Sequence, residues 1–252
     1  MRVFICFCLL FFSSFKAASI EPVVISHSKG NFYPFEYVEK GEFKGLHADI
    51  IRGVAKQLNI KVTFVSLTWM RSIKDLSYGW IDAVSYFSYT PERAIYAEFV
   101  PGNILSSTTT WPIILAQDKQ RILFDGTIAS LRPYRIAVGA GFKYGEPFDS
   151  AKGLLKVRIP EPSPQKLVDL LKFKRVDIII TAKHSLRQLF SPQQIKQTFH
   201  IFDQPIATNP VYLAFSKVKK HEVLAQRFAK AMSEFKASEE YRKLLVFYGE
   251  GE

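Results

Sequence analysis

The tripeptide Gly139-Ala140-Gly141 follows the strand-like run Arg135–Val138 and precedes Phe142-Lys143-Tyr144-Gly145. Glycines let main-chain N–H groups approach a bound anion at the start of a helix, so an anion-accepting turn is one reading; a plain strand-to-helix turn is the other. A dinucleotide fingerprint is excluded, because the third glycine falls one residue late and its wider context is absent. His27-Ser28 sets a base beside a hydroxyl, but neighbours on an extended chain point to opposite sides, which argues against a nucleophile–base pair. The remaining histidines, His47, His184, His200 and His221, give no pair at helical zinc spacing, and neither His-Glu-x-x-His nor Gly-x-Ser-x-Gly occurs. The expectation is a chain without metal or cofactor.

Both cysteines, Cys6 and Cys8, sit inside the apolar run Val3–Phe15 that follows Arg2. That run is too short to cross a hydrocarbon layer of about 30 Å as a helix and reads as a secretory signal peptide. Ala17-Ala18-Ser19 offers small residues for a cut before Ile20, so 1–19 is the expected signal, the destination is the periplasm, and no thiol remains. Hydrophobic residues make up 48% of the 252, which excludes a disordered chain. Lys and Arg number 34 against 23 Asp and Glu, a formal charge of +11 that favours anionic partners. Export speaks against nucleic acid, and the cations are spread along the chain rather than clustered.

The elements that must position any site alternate strand and helix, the pattern of an α/β fold with largely parallel sheets. Strands are expected at Val23–Ser26, Val62–Leu67 and Ile81–Phe87, with helices at Leu46–Leu58 and Trp69–Tyr78 between them. After the Ser/Thr run Ser106–Thr110 a second unit follows: strands at Ile113–Ala116, Arg135–Val138, Val157–Ile159 and Val176–Thr181, a helix at Pro164–Phe173, and a short helix from Lys183. An extended return at Pro205–Val211 leads to one terminal helix from His221, stopped by Gly249 and Gly251. Two extended crossings between two α/β units make a hinge, with lobe 1 expected at 20–110 plus 211–252 and lobe 2 at 111–210. Ligands of such folds lie between the lobes at strand C-termini.

A set of motifs in fixed order then resembles a known family. Tyr33-Pro34-Phe35-Glu36-Tyr37, Gly45–Ile50, Trp69, Trp80-Ile81-Asp82-Ala83, Ser88-Tyr89-Thr90-Pro91-Glu92-Arg93 and Phe99 are similar to the first half of bacterial extracytoplasmic solute-binding proteins of family 3, the polar amino-acid type. Arg135–Gly141, Val176-Asp177-Ile178-Ile179 and Tyr241–Gly249 continue the likeness, of which Ser-x-Thr-x-x-Arg is the most specific element. The resemblance implies a two-lobed periplasmic-binding-protein fold of type II, monomeric and not an enzyme, closing on a small carboxylate-bearing solute for an ABC permease. A membrane receptor that senses the closed form is the alternative partner, and a dehydratase-type lyase the less favoured alternative activity. It makes Arg93 the carboxylate ligand, whose rigid fork matches that group. Ser88 and Thr90 would add donors; Phe32, Tyr33, Trp69 and Tyr86 would form aromatic walls; Gly141, Phe142 and Lys143 would contribute from the other lobe.

The chain departs from the family at the α-ammonium. The aspartate that normally follows the Val-Asp strand is replaced by Ala182, flanked by Lys183, and the acid ahead of the aromatic-Pro-Phe segment gives way to Lys29 or its neighbours. Two expectations stay open. Either the solute lacks an amino-acid head and Lys29, Lys143 or Lys183 adds a second cationic contact, or Asp49, Glu36 or a main-chain carbonyl serves an ammonium.

Overall fold

In the computed structural model, residues 21–160 and 162–250 are described; the expected signal peptide lies outside them. The first lobe is built on β1 (Val23–Ser28), flanked in parallel by β4 (Val62–Leu67) and β5 (Ala83–Ser88). Between them run α1 (Leu46–Gln57) and α2 (Trp69–Ser77). Ile50, Ile51 and Val54 of α1 recur at one-turn spacing and are fully buried against Ile25 and against Phe228 and Phe235 of α8 (Glu222–Lys236). The other face of the sheet is covered by Trp69 and Leu76 of α2, packed on Val84 and Phe87.

In the second lobe β10 (Ile178–Thr181) lies parallel to β8 (Arg135–Ala137), which pairs in parallel with β9 (Lys156–Arg158). The triple isoleucine of β10 shows why its sequence is continuously apolar: Ile178 and Ile180 enter one core, Ile179 the opposite one, because successive side chains alternate across a sheet covered on both faces. α5 (Pro164–Lys172) covers the Ile179 side through Val168 and Leu171, and α4 (Glu146–Ala151) the other through Phe148. Further small elements are the hairpin β2 (Tyr37–Glu39) and β3 (Glu42–Lys44), α3 (Pro91–Ala94), β6 (Ala97–Glu98), α6 (Lys183–Arg187), α7 (Pro192–Thr198) and β11 (Phe199–Ile201).

Two long strands join the lobes. β7 (Ile104–Leu115) pairs antiparallel with β12 (Ala207–Ser216) along its first part and with β10 and β11 along Trp111–Leu115. A single path, β4-β1-β5-β12-β7-β10-β8-β9, thereby crosses the whole molecule. The Ser/Thr run ahead of the second unit is part of this strand: β-branched Thr108, Thr109 and Thr110 suit a pleated ladder. The expected single terminal helix is two, α8 and α9 (Glu239–Tyr248), because the Ser238 hydroxyl accepts the Tyr241 N–H (3.2 Å) and caps a new helix. The hairpin went unforeseen although Lys40 and Gly41, both at positive φ, are the sort of pair a tight hairpin turn requires.

Candidate functional site

The C-terminal ends of β5 and β10 and the middles of β7 and β12 face one another across a cleft whose cavity measures about 60 Å³. From the first lobe, Arg93 is placed by α3. Pro91 starts that turn, and Thr90 caps it, its hydroxyl accepting the Arg93 N–H at 3.2 Å. The Arg93 side chain turns back inward and is only 5% exposed. Its Nη1 donates to the Ser88 carbonyl (2.7 Å) and its Nη2 to the Gly141 carbonyl of the other lobe (2.6 Å), while Phe87 covers one face of the guanidinium at 4.3 Å from the ring centroid. Burial lowers its pKa to about 10, which leaves it charged at neutral pH. Two of five N–H bonds are spoken for, and Arg93 borders the cavity.

Gly141 is held in common: Trp69 Nε1 donates to the same carbonyl at 2.9 Å. This narrows the reading of Gly139–Gly141 as a set of N–H donors to Gly141 itself, the one N–H of the turn that the fold does not take up. The Gly139 N–H is taken by the Tyr144 hydroxyl (2.7 Å), that of Ala140 by the Pro160 carbonyl (2.9 Å), and that of Phe142 by the Gly139 carbonyl (3.4 Å). No helix starts there either; α4 begins five residues beyond Gly141. The turn thus offers the cleft an acceptor, matched to a cation of the opposite lobe.

Tyr86 forms a second bridge. It sits in β5 at φ 58, a left-handed conformation rare for a bulky residue, and faces the cavity. Its hydroxyl accepts from Thr108 Oγ1 (2.9 Å) and lies 3.3 Å from His184 Nε2 in the second lobe. Burial holds His184 down to about 4, with the nearby charges of His47 and Arg187 acting in the same direction.

That depression has a consequence for pH. An exposed histidine takes its proton near 6.5 and this buried one near 4, so as pH falls through that window the unfolded chain binds a proton that the folded protein refuses, and stability is lost. The loss is up to about 3 kcal/mol at 1.36 kcal/mol per unit. Thermal stability is expected to fall across that window, and His184→Gln to flatten the fall. A profile of unchanged slope in the variant would assign it to other groups.

Of the residues expected from sequence, Phe32, Trp69, Tyr86, Ser88, Arg93, Phe142, Lys143 and Ala182 line the cavity. Thr90 acts as the helix cap, and Tyr33 is half exposed, facing the groove beneath the β2–β3 hairpin with Tyr37. Lys29 is exposed, and Lys183 lies over the Trp111 ring at 4.2 Å, the ammonium resting on the aromatic face. Sequence reasoning missed Thr108, Thr110, Asn209 and Val211 on the crossing strands, and Tyr144, Thr181, His184 and Ser185 in the second lobe. The alternation of Thr108 and Thr110 was the available signal: residues two apart on one strand share a face. Outside the cavity, fully buried His47 joins Glu36 (3.1 Å) and Ser106 (2.9 Å) and fastens α1 to the crossing strand.

The sequence pattern of the bacterial extracellular solute-binding proteins, family 3, matches residues 24–250. A probable amino-acid-binding protein of Bacillus subtilis (strain 168) is 24% identical over 225 residues, 87% of this chain and 81% of that protein. Among solved structures, a histidine kinase sensor domain with similarity to periplasmic binding proteins superposes with a TM-score of 0.76 at 15% identity, covering 90% of this chain and 95% of that one. The substrate binding protein of an amino acid ABC transporter gives 0.70 at 23% identity, with 90% and 99% covered. The two-lobed fold is shared with both, and because the family pattern runs through both lobes and both crossing strands, the chain belongs to the bacterial extracellular solute-binding proteins of family 3.

Proposed function

We propose that the protein is exported to the periplasm, with 1–19 as its signal peptide, and there captures a small carboxylate-bearing solute by closing two lobes. Lobe 1 would comprise 20–110 and 211–252, lobe 2 111–210; the exchange of strand partners along β7 between Thr110 and Trp111 supports that division. One observation carries the ligand reading. Arg93 is a buried, charged fork that borders the cavity and whose side-chain hydrogen bonds run only to main-chain carbonyls. A desolvated guanidinium gains most from a carboxylate, through paired, charge-assisted hydrogen bonds.

Capture is a population shift. A solute held by Arg93 and the walls of Phe32, Trp69 and Tyr86 in one lobe gains further contacts from Phe142 and Ser185 only when the second lobe is closed over it, so binding favours that state. The bonds from Arg93 and Trp69 to Gly141, and from Tyr86 to His184, are formed in the same arrangement. Binding rather than turnover is supported by the polar groups of the cavity. They are cations, hydroxyls, an amide and an imidazole titrating near 4, not an acid–base pair poised near neutral pH.

Delivery to an ABC permease is the preferred outcome of closure, supported by the likeness to a transporter's binding protein. Presentation to a membrane receptor is the second reading, favoured by the sensor-domain likeness. Thermal-shift titration of the protein with small carboxylic and amino acids tests capture: saturable stabilisation that grows as RT ln(1 + [L]/Kd) is expected for some. A flat response to every carboxylate would overturn it.

A further inference from the structure

We infer that the solute is a small organic anion without an ammonium group, of the 2-oxo or 2-hydroxy acid class; this rests on the carboxylate reading of Arg93 above. Among the described residues, the cavity is bordered by two cations, Arg93 and Lys143, and by no carboxylate. The acids nearest the cavity are committed elsewhere or set back from it: Glu250 acts on the Tyr86 phenol but is exposed and does not border the cavity, and the free Oε2 of Glu36 is sealed away from it. Glu36 is fully buried against His47 and does not border the cavity. Asp149 accepts the Tyr144 N–H (2.9 Å) and pairs with Lys152 (3.1 Å). Asp49 holds the Tyr248 hydroxyl (2.7 Å) and Arg52 (3.0 Å) and faces the separate groove below the hairpin. Glu92 is on the rim, its side chain 73% exposed, 3.8 Å from Lys143.

The two main-chain carbonyls beside Arg93 are already taken. The Gly141 carbonyl already accepts from Arg93 and Trp69, and the Ser88 carbonyl from Arg93. An ammonium closed into this space would therefore lose its water and meet two positive charges. What the cavity does offer is neutral, hydroxyls and the Asn209 amide, none of which offsets the charge of an ammonium. Thr110 is 6% exposed, borders the cavity, and its Oγ1 has no partner. Ser185, 4% exposed, stands on the second-lobe side. Hydroxyls donate to a keto oxygen or accept from a hydroxyl, the groups that take the place of the amine in 2-oxo and 2-hydroxy acids.

The test is isothermal titration of the mature full-length protein with matched probes: pyruvate, lactate and L-alanine, then phenylpyruvate, phenyllactate and L-phenylalanine. In at least one set, the oxo or hydroxy acid is expected to bind about tenfold or more tighter than its amino acid, the unpaired ammonium being the difference. A second arm is Ala182→Asp. Ala182 borders the cavity as N-cap of α6 at φ −78, ψ 149, a backbone that aspartate adopts readily, so the variant should fold. It should reverse the order in favour of the amino acid. Tighter binding of the amino acid by the unmodified protein overturns the inference and leaves carboxylate capture standing, as does a folded Ala182→Asp that keeps the original order. No Arg93-dependent binding of any probe overturns both.

Discussion

Arg93→Ala is expected to weaken solute binding by about 2–5 kcal/mol, some 30-fold to several thousand-fold, by analogy with truncation of one partner in a buried charge pair. The free protein should keep its stability within about 1 kcal/mol. The lost terms are two hydrogen bonds to carbonyls and the stack on Phe87; offsetting them is the end of a desolvation burden large enough to pull the guanidinium to about 10. The local backbone need not change, since the Thr90 cap engages the N–H of residue 93 rather than its side chain. Arg93→Lys keeps the charge and loses the fork. One ammonium cannot reach Ser88, Gly141 and a carboxylate together, so most of the loss should persist. Calorimetric titration beside thermal unfolding separates the two effects. Equal binding by both variants and the unmodified protein would remove Arg93 from the site.

The same arginine shows how far the sequence alone could reach. Its identity and the order of motifs around it were legible, because Ser88, Thr90 and Arg93 are close in the chain and one short turn sets their geometry. The lobe cores were legible too: Ile50, Ile51 and Val54 follow helical spacing, and Ile178–Ile180 a strand covered on both faces. Partners that meet only through tertiary closure were not. Nothing near position 141 says that its carbonyl, rather than its N–H, will face Arg93, since that choice depends on bonds made by Tyr144 and Pro160. His184 was noticed only as a histidine without a zinc partner; its role comes from lying opposite Tyr86, 98 residues away. Thr110 and Asn209 were hidden for a different reason: polar residues on a crossing strand look like linker until the strand's face is known.

Gly45→Ala should be the other large effect, destabilising the fold by roughly 3–5 kcal/mol through a strained backbone and a displaced loop. Gly45 is the N-cap of α1 at φ 116, ψ 169, a conformation close to glycine-only. The helix has no side-chain cap; its first N–H groups, of Leu46 and His47, are met by the carbonyls of Pro34 (3.0 Å) and Phe35 (3.1 Å). Those carbonyls stand where a methyl group would go: a Cβ on residue 45 would fall 2.9 Å from the Pro34 oxygen and 2.6 Å from the Phe35 carbonyl carbon. Relief requires the segment from Phe32 to Glu36 to move. Phe32 is a wall of the cleft, and Phe35 packs edge-on to His184 at 5.1 Å, so binding should weaken along with stability. Gly41→Ala is the control. It also has positive φ, 82, but no atom lies within 4 Å of the added carbon, so about 1 kcal/mol from backbone strain alone is expected. At roughly 2–4 °C of Tm per kcal/mol for a chain of this size, the two variants should differ clearly by calorimetry. If Gly45→Ala and Gly41→Ala melt together, the close packing of the Pro34–Phe35 carbonyls against the helix start does not hold.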